Sequence, residues 1–246
     1  MTTTTANNGR LCNQIIRNLV VSFIAEKHDL QVTYSSKDLI QKLGIELFCG
    51  NKNHKETVVL KDDNYFDILS RNSFSCNLNP NNNYFQTKEI TNYLFSYLHK
   101  TETQSNIIRN NAFKSRYKTN NDIFVHIRLG DIARHSPGVA YYLKAIREIG
   151  EFDQLIIASD DIKHPLIREI VEQYPMAQLN PELNDEISTI QFGSTCKNVI
   201  LSHGSFSAII GYLAFFSNVY YPQYESGKIW YGDMFSVPGW NEIKKD

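Results

Sequence analysis

Phe124-Val125-His126-Ile127-Arg128-Leu129-Gly130-Asp131 is an apolar strand that carries a histidine and an arginine and breaks at glycine into an acidic loop. A buried strand normally excludes arginine, because desolvating a guanidinium without a partner is expensive. At the carboxyl end of a strand in an open α/β sheet, the same residue faces the crevice where ligands bind. There its planar fork matches a phosphate with two parallel hydrogen bonds. Strand alternation puts Val125, Ile127 and Leu129 on one face and His126 with Arg128 on the other. In the plainest structural reading Arg128 pairs with Asp131 and staples the turn. That is compatible with an anion site, since Asp131 can orient Arg128 while a phosphate takes its remaining donors.

Outward from this strand, apolar and amphipathic segments alternate. Strands are predicted at 123–127, 154–158, 176–179, 198–201 and 218–221, with helices at 139–149, 165–173, 187–192 and 206–216 between them. Such β-α alternation predicts a parallel sheet with helices on both faces. In the first half, helix 11–25 follows a turn at 7–9. Strands at 31–34 and 58–60 and helices at 37–43, 64–69 and 87–97 are predicted beyond it. The Asn-rich stretch 72–83 reads as a loop. The polar run 114–121 reads as a boundary between domains 1–118 and 119–246. The aromatic segment 230–240 is expected to pack back across a surface.

The 246 residues suffice for one large domain or two smaller ones, and 42% hydrophobic against 21% charged residues implies an ordinary packed core. The 25 Lys+Arg and 26 Asp+Glu leave a net charge of −1, which removes any global attraction to nucleic acid or to an anionic membrane. An anionic ligand must be caught locally. The cysteines (Cys12, Cys49, Cys76, Cys196) are scattered and outline neither a zinc site nor a disulfide framework. No apolar run approaches a spanning helix and the first residues are polar, so the expectation is a cytoplasmic protein with no integral membrane segment.

Three further constellations join the arginine strand. Gly9-Arg10-Leu11-Cys12-Asn13-Gln14 opens the first helix, where free N–H groups favour an anion or a sugar hydroxyl. It can equally be a terminal turn with a surface Asn-Gln pair. Ala158-Ser159-Asp160-Asp161 ends a strand. Its carboxylates can accept from a ribose or base, or they can merely cap the next helix; as a metal signal the pair is weak. Leu201-Ser202-His203-Gly204-Ser205-Phe206-Ser207 joins a strand to a helix through a glycine turn, the makeup of a phosphate cradle without the lysine of a P-loop. Ser205 is only a weak echo of a nucleophile elbow.

In order and spacing these blocks resemble the glycosyltransferase family 11 α-1,2-fucosyltransferases and the wider superfamily that uses GDP-fucose. The first block is similar to G-x-L-G-N-Q, and His126 to Asp131 to H-x-R-R-G-D. Tyr141-Tyr142-Leu143-Lys144-Ala145-Ile146 is similar to Y-Y-x-x-A-I, Ala158 to Asp161 to F-S-D-D, and Ser202 to Ser207 to S-N-S-S-F-S. Cys12 stands where that pattern has glycine, and Leu129 where it has a second arginine.

The resemblance implies a GT-B fold, two Rossmann-like domains facing across a cleft, with no metal or other cofactor. The donor would be a GDP-sugar, GDP-fucose foremost or a UDP-sugar instead, and the acceptor an oligosaccharide or other glycan. By carry-over, Arg128 holds the donor β-phosphate, and His126 and Asp160 touch the nucleoside. Ser159, Asp161, His203, Gly204, Ser205, Phe206 and Ser207 complete the donor set. Gly9, Arg10, Asn13 and Gln14 close the cleft from the first domain, which takes the acceptor. The implied reaction is inverting transfer, with Arg128 stabilising the leaving diphosphate and Asp131 or His135 as the base. Two other classes stay open: a silent nucleotide-sugar or glycan-binding module, and a hydrolase or phosphatase using Ser205 or Asp160 as nucleophile.

Overall fold

The computed structural model describes residues 1–5, 9–179, 185–223 and 232–245. In chain order its elements are β1 (Thr2–Thr3), α1 (Leu11–His28), β2 (Val32–Thr33), α2 (Lys37–Lys42), β3 (Thr57–Val59), α3 (Tyr65–Ser70) and β4 (Asn77–Asn79). Next come α4 (Lys88–Leu98), α5 (Thr101–Asn110), β5 (Ile123–Ile127), α6 (Val139–Ile149), β6 (Leu155–Ser159), α7 (Pro165–Gln173) and β7 (Gln178–Leu179). The last are α8 (Glu186–Gly193), β8 (Asn198–Ile200), α9 (Ser205–Leu213), β9 (Asn218–Pro222) and β10 (Asn241–Ile243). A single turn of 3₁₀ helix lies at Lys114–Arg116, and two such turns joined by a kink at Ile132 span Gly130–His135.

The second half forms one six-stranded sheet in the order β10-β9-β8-β5-β6-β7, every neighbouring pair parallel. Counted from β5 as the first strand, the order is that of a doubly wound dinucleotide-binding sheet, with the reversal between β5 and β8. The α/β alternation expected from the sequence is therefore present, and β5 is buried along its whole length. Its side chains divide between two cores as period-2 geometry requires. Ile123, Val125, Ile127 and Leu129 pack with α6 and α7, while Phe124 packs with α8 and α9 on the opposite face.

In the first half the described strands form two short parallel pairs, β1 with β2 and β3 with β4. Thr2 Oγ1 accepts the Leu78 N–H at 2.9 Å, so a side chain links β1 to β4. Helix α1 is buried on nearly all sides, including Ile15, Ile16, Leu19, Val20 and Ile24, as expected of a helix that is apolar all round. Two of its buried polar residues are tied to the surroundings: Asn18 Nδ2 donates to Ser35 O at 2.7 Å, and Ser22 Oγ accepts the Phe48 N–H at 2.8 Å.

One apolar core runs from α1 and α4 through α9 into the sheet. Phe95 of α4 packs edge-on against Tyr212 of α9 and against Trp240, and His99 Nε2 is 3.0 Å from Tyr212 O. The end of the expected aromatic segment does pack back, with Met234, Phe235 and Val237 buried; Trp230 and Tyr231 lie outside the described residues, as do Asn7 and Asn8 of the first turn. Two expectations need correction. The stretch 72–83 is not all loop, since Asn77–Asn79 pairs with β3. Helix α9 stops at Leu213, where Ala214 leaves helical geometry (φ −85°, ψ 61°), short of Phe216. Among the described residues no helix is long and apolar enough to cross a membrane.

Candidate functional site

The carboxyl ends of β5, β6 and β8 open into a cavity of about 510 Å³. It sits where the strand order reverses, the position at which open α/β sheets bind ligands. Gly9, Arg10, Asn13, His126, Arg128, Asp131, His135, Ser159, Asp160, His203, Gly204, Ser205 and Phe206 all line it. Three segments far apart in sequence, the start of α1, the turn after β5 and the β8–α9 loop, thus converge on one space.

Arg128 stands at its centre, with its side chain only 15% exposed. Nη1 donates to Asp160 Oδ2 and Nη2 to Asp131 Oδ1. Asp160 Oδ1 accepts the Leu129 N–H at 2.8 Å, so the carboxylate is fixed from two sides. Gly130 makes this approach possible: its φ is +29°, and a Cβ there would lie 2.6 Å from Asp160 Oδ2. Burial first, and the nearby Arg10 second, lower the Arg128 pKa, while Asp131 raises it. Arg10 Nη2 lies 3.9 Å from Asp131 Oδ1 and extends the chain of charges across the cavity.

His126 is buried, its ring 4.9 Å from that of Phe206. Its Nδ1 meets Ser207 Oγ, which also accepts the Ser202 N–H at 2.9 Å; Ser202 Oγ in turn accepts from Tyr142 OH at 2.9 Å. Tyr141 OH donates to Leu201 O at 2.7 Å. The two tyrosines of α6 therefore clamp the carboxyl end of β8. Burial, reinforced by Arg128, pulls the His126 pKa down to about 3, so the ring is neutral near pH 7.

Two helix starts face the cavity without a side-chain cap. Gly204, at φ +92°, precedes α9, and Arg10 precedes α1. The first-turn N–H groups of such ends are donors suited to an anion. Helix α8 differs: Asp185 caps it in a reciprocal box with Ser188.

Three expected site residues are not on the cavity wall. Gln14 is spent on the loop around it, donating to Gly9 O at 3.0 Å and accepting from Ser36 Oγ at 2.5 Å. Asp161 Oδ1 accepts the Lys163 N–H at 3.1 Å, a local turn contact. Ser207 is wholly buried behind His126. His135 does reach the wall, but its Nε2 accepts from Arg134 Nε at 3.0 Å.

The wall also holds residues that local sequence does not reveal. Tyr84 and Gln86 arrive from the Asn-rich stretch through Phe85, a buried aromatic in the left-handed region at φ +55°. Such a conformation costs a non-glycine residue roughly 1–3 kcal/mol and is often met at functional sites. Gln86 Nε2 donates to Asn13 Oδ1 at 2.8 Å and holds the helix start in place. Asp185, Glu186 and Thr189 of α8 and Met234 close the remaining side. Of these only the Asp185 cap had a sequence signal, Asp185 three residues before Ser188. Among the described residues no three His, Cys, Asp or Glu side chains are grouped as a metal ion requires.

No protein-family model matches the chain, and a search of curated proteins returned no match.

Proposed function

We propose that this protein is a nucleotide-sugar-dependent glycosyltransferase of the two-lobed GT-B kind, inverting and independent of metal. One observation carries the proposal. Arg128 stands beside the uncapped start of α9, at the strand-order reversal of a doubly wound parallel sheet, and Gly9 to Asn13 face it from the first half. That is where such sheets seat a nucleotide, and the donors around it suit a diphosphate. Residues 119–246 form the donor lobe. Residues 1–118 form the acceptor lobe, with Asn13, Tyr84 and Gln86 on its wall.

In the proposed reaction an acceptor hydroxyl attacks the sugar C1 in line as the bond to the diphosphate breaks. The hydroxyl proton passes to a base in the turn Gly130–His135, which brings Asp131 and His135 to the cavity. Arg128 and the first-turn amides of α9 stabilise the charge that develops on the leaving diphosphate. GDP-fucose, named by the motif resemblance, is the first donor to try, with UDP-sugars next.

A binding module without turnover is the second reading, favoured by the carboxylates already seated on both Nη atoms of Arg128. One experiment separates the two. The melting temperature is followed with GDP, UDP and their sugars, and mixtures with glycan acceptors are assayed for product. A shift with product supports the transferase, a shift without product supports the module, and no shift with any nucleotide rejects both.

A further inference from the structure

The two sides of the cavity meet through a single carboxylate. Asp131 accepts from Nη2 of Arg128 on one side and lies 3.9 Å from Nη2 of Arg10 on the other. Arg10 comes from the first half of the chain, at the start of α1. The two acids on Arg128 are unlike. Asp160 is pinned by the Leu129 N–H and its side chain is 28% exposed, whereas Asp131 stands on a surface turn with 63% of its side chain exposed. An exposed ion pair at such a distance contributes little to stability, so the convergence of two guanidiniums there needs another reason. Two cations converging on one point repel unless an anion lies between them, and Arg10 is close enough to Arg128 to disfavour its charge.

We infer that Arg10 and Arg128 together grip the diphosphate of the donor, and that Asp131 is a built-in anion filling that grip until the diphosphate displaces it. The identity of the ligand rests on the nucleotide-sugar reading; the inference adds the second cation and the exchange. A diphosphate brings more charge and more acceptor oxygens than one carboxylate, so it takes Nη2 of Arg128 and the fork of Arg10 together. Asp160 stays on Nη1 and keeps the guanidinium plane aimed at the cavity. The displaced Asp131 carboxylate turns off Arg128 toward the open side of the cavity, where water reaches it, no burial penalty meets it and it still borders the acceptor.

The test is calorimetric titration of the whole chain with inorganic pyrophosphate, GDP and UDP, with guanosine and uridine as phosphate-free controls. Arg10→Ala is expected to weaken pyrophosphate and the accepted nucleotide about tenfold, the worth of one charge-assisted contact, while nucleoside affinity and the ligand-free melting temperature hold. Asp131→Asn is expected to tighten pyrophosphate several-fold by removing the competitor. Unchanged diphosphate affinity in Arg10→Ala, or weaker binding in Asp131→Asn, overturns the inference. Pyrophosphate held through Arg10 with neither nucleotide bound supports the grip and discards the nucleotide-sugar reading. Nucleotide binding indifferent to Arg10 does the reverse, and a wild-type chain that binds none of these anions overturns both.

Discussion

Nδ1 of His126 lies 2.5 Å from Oγ of Ser207, and this contact ties the central strand of the sheet to the first turn of α9. Ser207 Oγ also accepts the Ser202 N–H at 2.9 Å, so one hydroxyl serves both the strand and the loop before α9. The histidine that first drew notice as a ligand group thus also joins the two loops that frame the cavity.

The neutrality of His126 makes stability depend on pH. Its pKa is about 3 in the folded chain, lowered by burial and then by Arg128. It returns to about 6.5 when the chain unfolds. Between these values the unfolded state binds a proton that the native state refuses. Stability therefore falls as pH drops from about 6.5 toward 3, with a slope of up to about 1.4 kcal/mol per unit. His126→Gln is expected to lose this part of the acid slope in urea melts between about pH 7 and pH 4. Parallel slopes in the two proteins would show that His126 is not the group responsible.

Arg128→Ala is expected to lower sugar transfer by at least about 100-fold, the scale of removing one donor to a developing anion. Asp160 keeps its bond to the Leu129 N–H, so the fold is expected to survive with a small change in melting temperature. Near-wild-type turnover in a folded variant would end the phosphate role of Arg128.

Gly130→Ala tests the support beneath that arginine. A Cβ would meet Asp160 Oδ2 at 2.6 Å from a backbone at φ +29°. The variant is expected to lose about 1–2 kcal/mol of stability and to bind diphosphate more weakly, because Asp160 must move away from Arg128. Chemical denaturation and calorimetry read the two effects separately. A stable variant with unaltered affinity would mean that the approach of Asp160 is not needed.

Transfer is expected to continue in excess EDTA, since the proposal assigns the leaving charge to Arg128 and backbone amides. Loss of product in EDTA, restored by Mg²⁺ or Mn²⁺, would transfer that role to a cation.

The parts of the fold readable in sequence are those whose signal is local. Strand 123–127 and helices 139–149 and 165–173 match β5, α6 and α7 because each carries its own period and its own turn residues. Strand β4, Asn77–Asn79, was hidden in an Asn-rich run, since its strand character comes only from pairing with β3. Helix α5 reads Thr-Glu-Thr-Gln-Ser-Asn-Ile-Ile-Arg-Asn and buries Ile107 alone, too little to mark a stripe. The site divides the same way. Arg128, Asp160 and the Ser202–Ser207 loop follow strands, so position alone exposed them. Tyr84, Gln86 and Met234 reach the cavity through tertiary packing and a left-handed Phe85, which no short window records.

The core shared by α1, α4 and α9 has a mechanical consequence. Parting the halves to admit a ligand would bring Phe95, Tyr212 and Trp240 into water, at about 25 cal/mol for every Å² of apolar surface. A wide swing about a hinge is therefore disfavoured. The turn Gly130–His135 carries only Ile132 as a buried anchor and can move at far smaller cost. Such a molecule breathes at its mouth and stays closed at its waist, so the residues that set its melting point are not those that set the pace of ligand traffic.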